Sequence, residues 1–318
     1  MSTENFLLRF VKNWTLPIAI VTGALAYLVY SRLSVLNFTR PYAAPTVAIV
    51  QPVLIFSMLF LSFCKIDVKQ LRPHISHLWL LLIQCGSFSL LCLLVHFLPT
   101  MSSRVVVEAA ALCLICPTAT SAAVVTQKLH GDGADITMYT LLINLAVSVV
   151  VPVFIPLVGG HVGLSFLTAF WSIMQRVFPM LICPLIAAQL VRWLLPHLHD
   201  WLVSFHNLAF YLWAVALSIA IAVTTRSIMH THNSLSLIGG ICIASLFCCI
   251  IQFAIGRIIG RYYNRSVSTC QSLGQKNTVF AIWMGYTFLD PVTSLAGGFY
   301  SIWHNLYNTY QLRREAKK

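Results

Sequence analysis

QSLGQKNTVFAIWMGYTF, residues 271–288, sets Lys276 in the middle of what must otherwise be a membrane-crossing segment. An ammonium at bilayer depth is expensive, so such residues face a bundle interior or a water-filled cavity and mark a substrate, ion or proton pathway. The function is therefore to be sought around Lys276. A lysine snorkelling from a helix end to the headgroups fits less well, because a turn of polar residues precedes Lys276 and apolar sequence follows it.

Working outward, the composition agrees. Of 318 residues, 58% are hydrophobic and only 9% are charged, with a mean hydropathy of +0.83, whereas soluble domains carry about 25% charged residues. One membrane helix needs about 20 apolar residues, and ten such stretches can be laid out: 14–31, 44–64, 78–98, 105–127, 136–158, 166–195, 202–225, 235–256, 266–288 and 291–312. Connections are short, so no soluble domain fits, and the alternation of a transmembrane barrel is missing. The expected class is all-α and polytopic, with ten transmembrane helices.

The net charge of +12 would suggest nucleic acid in a soluble protein. Its distribution points to topology instead. Ten spans put both termini on one side, and that side collects Arg9, Lys12, Lys65, Lys69, Arg72, Lys128, Arg192, Arg257, Arg261, Arg265, Arg313, Arg314, Lys317 and Lys318. Only Arg32, Arg40, Arg104, Arg176 and Arg226 fall on the other. The positive-inside rule then expects cytoplasmic termini in the cell (inner) membrane, with the lipid bilayer as partner and no nucleic acid. The run after Arg9 and Lys12 is too long for a signal peptide and lacks a cleavage site, so it reads as the first span. The ten cysteines lie almost all within the spans and read as buried small hydrophobes.

Gly159, Gly160 and His161 fall near the middle, so 1–160 and 161–318 each hold five stretches. If these are structural repeats, an odd number forces the second to insert inverted, as in many secondary transporters. The fourth stretch of each half is interrupted, by Cys116-Pro117-Thr118-Ala119-Thr120-Ser121 and by Gln271 to Thr278. Matched interruptions are the best sequence pointer to a midplane site. Pro117 lacks an N–H, and Gly274 tolerates unwinding, so each stretch is expected to split into two half-helices. The second half of each pair aims free N–H groups and a positive dipole end at the cavity. Thr118, Thr120, Ser121 and Thr278 add hydroxyls, Asn277 an amide and Lys276 a full charge. Such a site suits a small organic anion, with a carboxylate as the natural handle.

Other polar residues have quieter readings. Glu108 pairs with Arg104 one turn away, Asp132 and Asp135 cap a helix after the His130-Gly131 turn, and Asp290 caps the last span. His304, next to Asn305, is a candidate cavity residue. His74, His77, His197, His199, His230 and His232 sit at span ends and read as interfacial. No HExxH, GxSxG or Walker pattern occurs. Neither an enzyme nor a bound cofactor or metal is expected.

Cys116-Pro117 with Thr120, Gly274 with Asn277, and Ser301-Ile302-Trp303-His304-Asn305 together resemble the bile acid:sodium symporter family over nearly the whole chain. The resemblance implies two inverted five-helix repeats, a panel domain of helices 1, 2, 6 and 7, and a core domain of helices 3–5 and 8–10. Broken helices 4 and 9 would cross at the site, and organic anions would move by alternating access. It also implies substrate-facing roles for Thr120, Asn277 and His304.

The departures from that family concern its sodium sites. Ser272 stands where the family has an acidic ligand, and Lys276, after Gln275, where it has a glutamine. Ala122 and Ala123 replace a Ser-Asn pair, and Ile136 replaces a hydroxyl, although Thr140 remains and Gln84 matches a family glutamine. A hard cation needs several oxygens, and most are gone. A fixed ammonium can supply a sodium ion's charge and would repel a real cation there. The expectation is a sodium-independent secondary transporter with Lys276 as the cation mimic and proton coupling ahead of facilitated diffusion. A sodium-coupled symporter and a non-transporting sensor on the same fold are the alternatives. The sequence does not give substrate identity, direction or oligomeric state.

Overall fold

The computed structural model describes residues 6–66, 71–158, 165–205, 208–230 and 234–315. Gly159, Gly160 and His161 at the expected boundary of the halves, with Lys69, His232, Lys317 and Lys318, lie outside the described residues.

Among the described residues every regular element is helical. The first half runs α1 (Phe6–Arg32), α2 (Arg40–Cys64), α3 (Ile75–Phe97), α4 (Arg104–Ile115), α5 (Ala122–Lys128) and α6 (Gly133–Val158). Then come α7 (Phe166–Leu194), α8 (Pro196–Ser204), α9 (Leu208–His230), α10 (Leu235–Tyr262), α11 (Ser266–Gly274), α12 (Thr278–Phe288) and α13 (Leu295–Glu315). Side-chain caps set several starts: Ser165 accepts from the Thr168 amide, Ser234 from Leu237 and His74 from Ser76. Asp290 accepts from the Val292 amide at 2.9 Å, so it caps the 3-10 turn Pro291–Ser294 that leads into α13.

Among the described residues six helices are long and apolar enough to cross a membrane: Ser34–Cys64, Ile75–Phe97, Gly133–Val158, Phe166–Leu194, Leu208–Arg226 and Leu235–Tyr262. The chain is an all-α, multi-pass membrane protein. Pro45, Pro52, Pro152, Pro156, Pro179 and Pro184 lie inside these long helices, as neighbouring membrane helices allow. Val21, Ile49, Leu90, Trp193 and Ile250 point outward, a waste of apolar surface in water and the expected finish against lipid.

Helices α1, α2, α7 and α9 pack on one another, and α3, α4, α6 and α10 to α13 form a second group that holds α11 and α12; α6 joins the two groups by packing closely along α7, and α12 also touches α2 and α9. Every residue from Ser268 to Gly285 is buried. The close approach of α10 to α11 rests on Gly256 and Gly260. A Cβ on Gly256 would sit 2.9 Å from the Cys270 Cα, and one on Gly260 2.6 Å from the Ser266 Cα. This is the small-xxx-small spacing that lets membrane helices touch backbone to backbone.

Two quiet readings need correction at one end of this second group. Asp132 does cap α6, accepting from the amides of Ala134 (2.8 Å) and Asp135 (3.2 Å). Asp135 does not cap: its carboxylate pairs with Arg265 at the start of α11 and lies 2.9 Å from His77 Nε2, off the line of a good hydrogen bond. His77 is buried rather than interfacial. A carboxylate in this apolar setting needs a charged partner more than the helix start needs a second cap, so Asp135 ties the starts of α3, α6 and α11 together. Arg104 and Glu108 form the expected pair, at 2.8 Å.

Candidate functional site

The two interruptions meet. Helix α4 stops at Ile115 because Cys116, preceding Pro117, is driven out of the helical region to φ −50, ψ 129. Helix α11 stops at Gly274, and Gln275 is extended at φ −94, ψ 103. The two extended segments then pair antiparallel with Thr118 opposite Lys276. The Asn277 amide donates to the Pro117 carbonyl at 2.8 Å, and the Ala119 amide to the Gln275 carbonyl at 2.9 Å.

Breaking a helix inside a membrane strands carbonyls, and each must find a donor. Gln84 Nε2 donates to the carbonyls of Ile115 (3.1 Å) and Cys116 (2.8 Å), and Gln84 Oε1 accepts from the Tyr139 hydroxyl at 2.7 Å. Gln252 Nε2 serves the Cys113 carbonyl at 3.3 Å. On the other chain segment, the Tyr300 hydroxyl donates to Gly274 O at 2.9 Å and Thr118 Oγ1 to Ser272 O at 2.8 Å. Asn277 Oδ1 accepts from the Phe280 amide at 3.3 Å and so starts α12. Gly274 is required by its neighbour, since any Cβ there would run into the Phe253 ring.

Beside the crossing lies a pocket of about 20 Å³, room for about one water-sized group. Thr120 and Ser121 line it from the first break, Gln275, Lys276, Asn277 and Thr278 from the second, and His304 and Asn305 from α13. Met58 of α2 and Trp213 of α9 close it from the other helix group. Gln275 Nε2 donates to Ser121 Oγ at 2.9 Å. His304 Nδ1 accepts the Lys276 amide N–H at 3.3 Å, so the imidazole proton sits on Nε2.

Lys276 is 1% exposed, which removes the snorkelling alternative, and its Nζ has no hydrogen-bond partner. The titratable groups that act on it most are the thiols of Cys116, Cys85, Cys113 and Cys248. No carboxylate lines the pocket.

The expected site residues therefore separate. Thr120, Ser121, Gln275, Lys276, Asn277, Thr278 and His304 converge on the pocket. Thr118 and Gln84 sit at the crossing but are turned to its carbonyls, one of which is that of Ser272. Thr140 bonds the Ile136 carbonyl of its own helix at 2.8 Å. The sequence reading missed Met58 and Trp213: apolar residues in apolar helices carry no signal of their own, and only packing brings them opposite the break. Among the described residues no group of three or more His, Cys, Asp or Glu is arranged to hold a metal ion. No protein-family model and no curated protein matches this chain.

Proposed function

We propose that the protein is a secondary transporter of a small organic anion, working by alternating access without sodium, with Lys276 standing in for a bound cation. One observation carries the reading: a buried lysine whose Nζ has no partner lies where two broken helices cross, beside a pocket of hydroxyl, amide and imidazole donors. Charge-assisted hydrogen bonds from such donors are the strong ones for a carboxylate. The N-terminal field comes from α12, since α5 is only seven residues long.

On this reading α1, α2, α7 and α9 are the panel, the other helix group is the core, and the chain is ten spans in two inverted repeats of the bile acid:sodium symporter type. What supports the division is the position of the pocket, with Met58 of α2 and Trp213 of α9 on one side and the crossing on the other; α6 packed along α7 is where the two would stay joined. Opening that seam to alternate sides would expose the same residues to each. Both termini are then cytoplasmic in the cell membrane. A single cysteine introduced at Glu315, on a background without other cysteines, is expected to react only with reagent supplied from the cytoplasm; labelling from outside would reverse the topology.

Uptake into proteoliposomes tests the transport reading. Organic-anion uptake is expected to continue when sodium is replaced by choline, because the charge that organises the crossing is covalently attached. Strict sodium dependence would overturn the cation role of Lys276. An imposed pH gradient separates the coupling: faster uptake with external acid supports proton cycling, and indifference leaves the cation role and removes proton coupling.

A further inference from the structure

The crossing leaves a charge unanswered. Lys276 Nζ is buried without a partner, and the acids of the described residues are occupied or distant: Glu108 with Arg104, Asp135 with Arg265, Asp132 and Asp290 as caps, Asp200 beside His199, and Glu315 at the end of α13. A buried cation without a counter-charge is strongly disfavoured. Such an amine can lose its proton, but one held as a fixed positive charge needs another counter-ion when the organic anion leaves.

We propose that a monovalent inorganic anion of halide size, chloride in a cell, occupies the crossover pocket whenever the organic anion is absent, so that the protein exchanges organic anion for chloride. The pocket is small, about 20 Å³, room for about one water-sized group and so for a monatomic ion. Its lining is rich in donors. The Thr278 amide has no backbone partner among the described residues. The Ser121 hydroxyl accepts from Gln275 and keeps its own proton to give. His304 presents Nε2–H, because Nδ1 is taken by the Lys276 amide, and Asn277 keeps its Nδ2 after its Oδ1 has capped α12. One acceptor, Gln275 Oε1, is buried without a partner beside them. A monatomic anion accepts from several N–H and O–H groups at once without the directional demands of a carboxylate. The inference rests on the reading of Lys276 as a fixed positive charge, and it adds a second, inorganic ligand for the same site.

Radioactive chloride, with no organic substrate, is the probe. Purified full-length protein is expected to bind it saturably, and Lys276→Met is expected to lower that affinity at least tenfold. Ser236→Ala, at the exposed start of α10 and outside the pocket lining, is expected to bind as the wild type does and so controls for handling of a variant. Proteoliposomes loaded with labelled chloride are expected to release it at least ten times faster into external chloride than into isethionate, the signature of obligatory exchange. Absence of saturable binding to the wild type overturns the inference, as does equal binding by Lys276→Met. Equal release into the two anions overturns the exchange. Organic-anion uptake without chloride binding would sink this inference and leave the transport reading standing. Chloride binding without any organic-anion uptake would do the reverse.

Discussion

The break after α4 is opened by a proline and closed by glutamines from α3 and α10, whereas the break after α11 contains no proline and is closed mostly from α13 and from the first break itself. Gln84 from α3 and Gln252 from α10 reach in to satisfy the carbonyls of the first. The second uses Asn277 to start its next helix, and its carbonyls take donors from Tyr300 of α13 and from Thr118 and the Ala119 amide of the first break. Exposure differs too. Ser121 is exposed and Thr120 half-buried, while Gln275, Lys276, Asn277 and Thr278 are all buried. The comparison teaches a division of labour: the first break offers adjustable hydroxyls at the seam, and the second fixes a charge deep behind them.

The largest test removes the charge. Lys276→Gln is expected to weaken organic-anion binding about 100-fold, since charge-assisted hydrogen bonds contribute about 1.5–3 kcal/mol. It is not expected to create sodium dependence, because Ser272, Ala122 and Ala123 still lack the oxygens a hard cation requires. Equilibrium binding and sodium-dependent uptake of the variant read both. Unchanged anion affinity would dissolve the distinction between the two breaks, since the second would then contribute nothing that the first does not.

Next comes the borrowed cap. Gln84→Leu strands the carbonyls of Ile115 and Cys116 and the hydroxyl of Tyr139, so stability is expected to fall by about 1–3 kcal/mol. Tyr139→Phe removes one donor from the same network and is expected to cost about 1 kcal/mol. Thermal unfolding of the two variants and of the pair measures this, with a double-mutant effect smaller than the sum if they share one network. An additive result would mean that Gln84 and Tyr139 support the first break independently.

Much of this was legible from sequence, for identifiable reasons. Breaks at Pro117 and Gly274 could be read because proline and glycine act on backbone geometry whatever surrounds them. Lys276 could be read because charge in an apolar run is rare. Thr118 and Thr120 could not be told apart: they are alike in type and two residues apart, and only the antiparallel pairing turns one to the Ser272 carbonyl and the other to the pocket. Asp135 was misread for a similar reason. Its place in the first turn of α6 suggests a cap, but its partner Arg265 is 130 residues away in sequence, and no local pattern announces so distant a neighbour.

That pair of threonines gives the smallest and sharpest test. Thr120→Ala is expected to weaken substrate binding about threefold to tenfold, as loss of one neutral hydrogen bond of about 0.5–1.5 kcal/mol implies, with little change in thermal stability because the residue is half-buried. Thr118→Val keeps the shape but removes the donor to Ser272 O, so it is expected to lose about 1 kcal/mol of stability with substrate affinity preserved. Measuring both quantities on both variants crosses the two properties. If Thr118→Val lost affinity while Thr120→Ala lost only stability, the substrate would have to approach the crossing from the side away from Met58 and Trp213. The pocket between the two helix groups would then be the rear of the site and not its mouth.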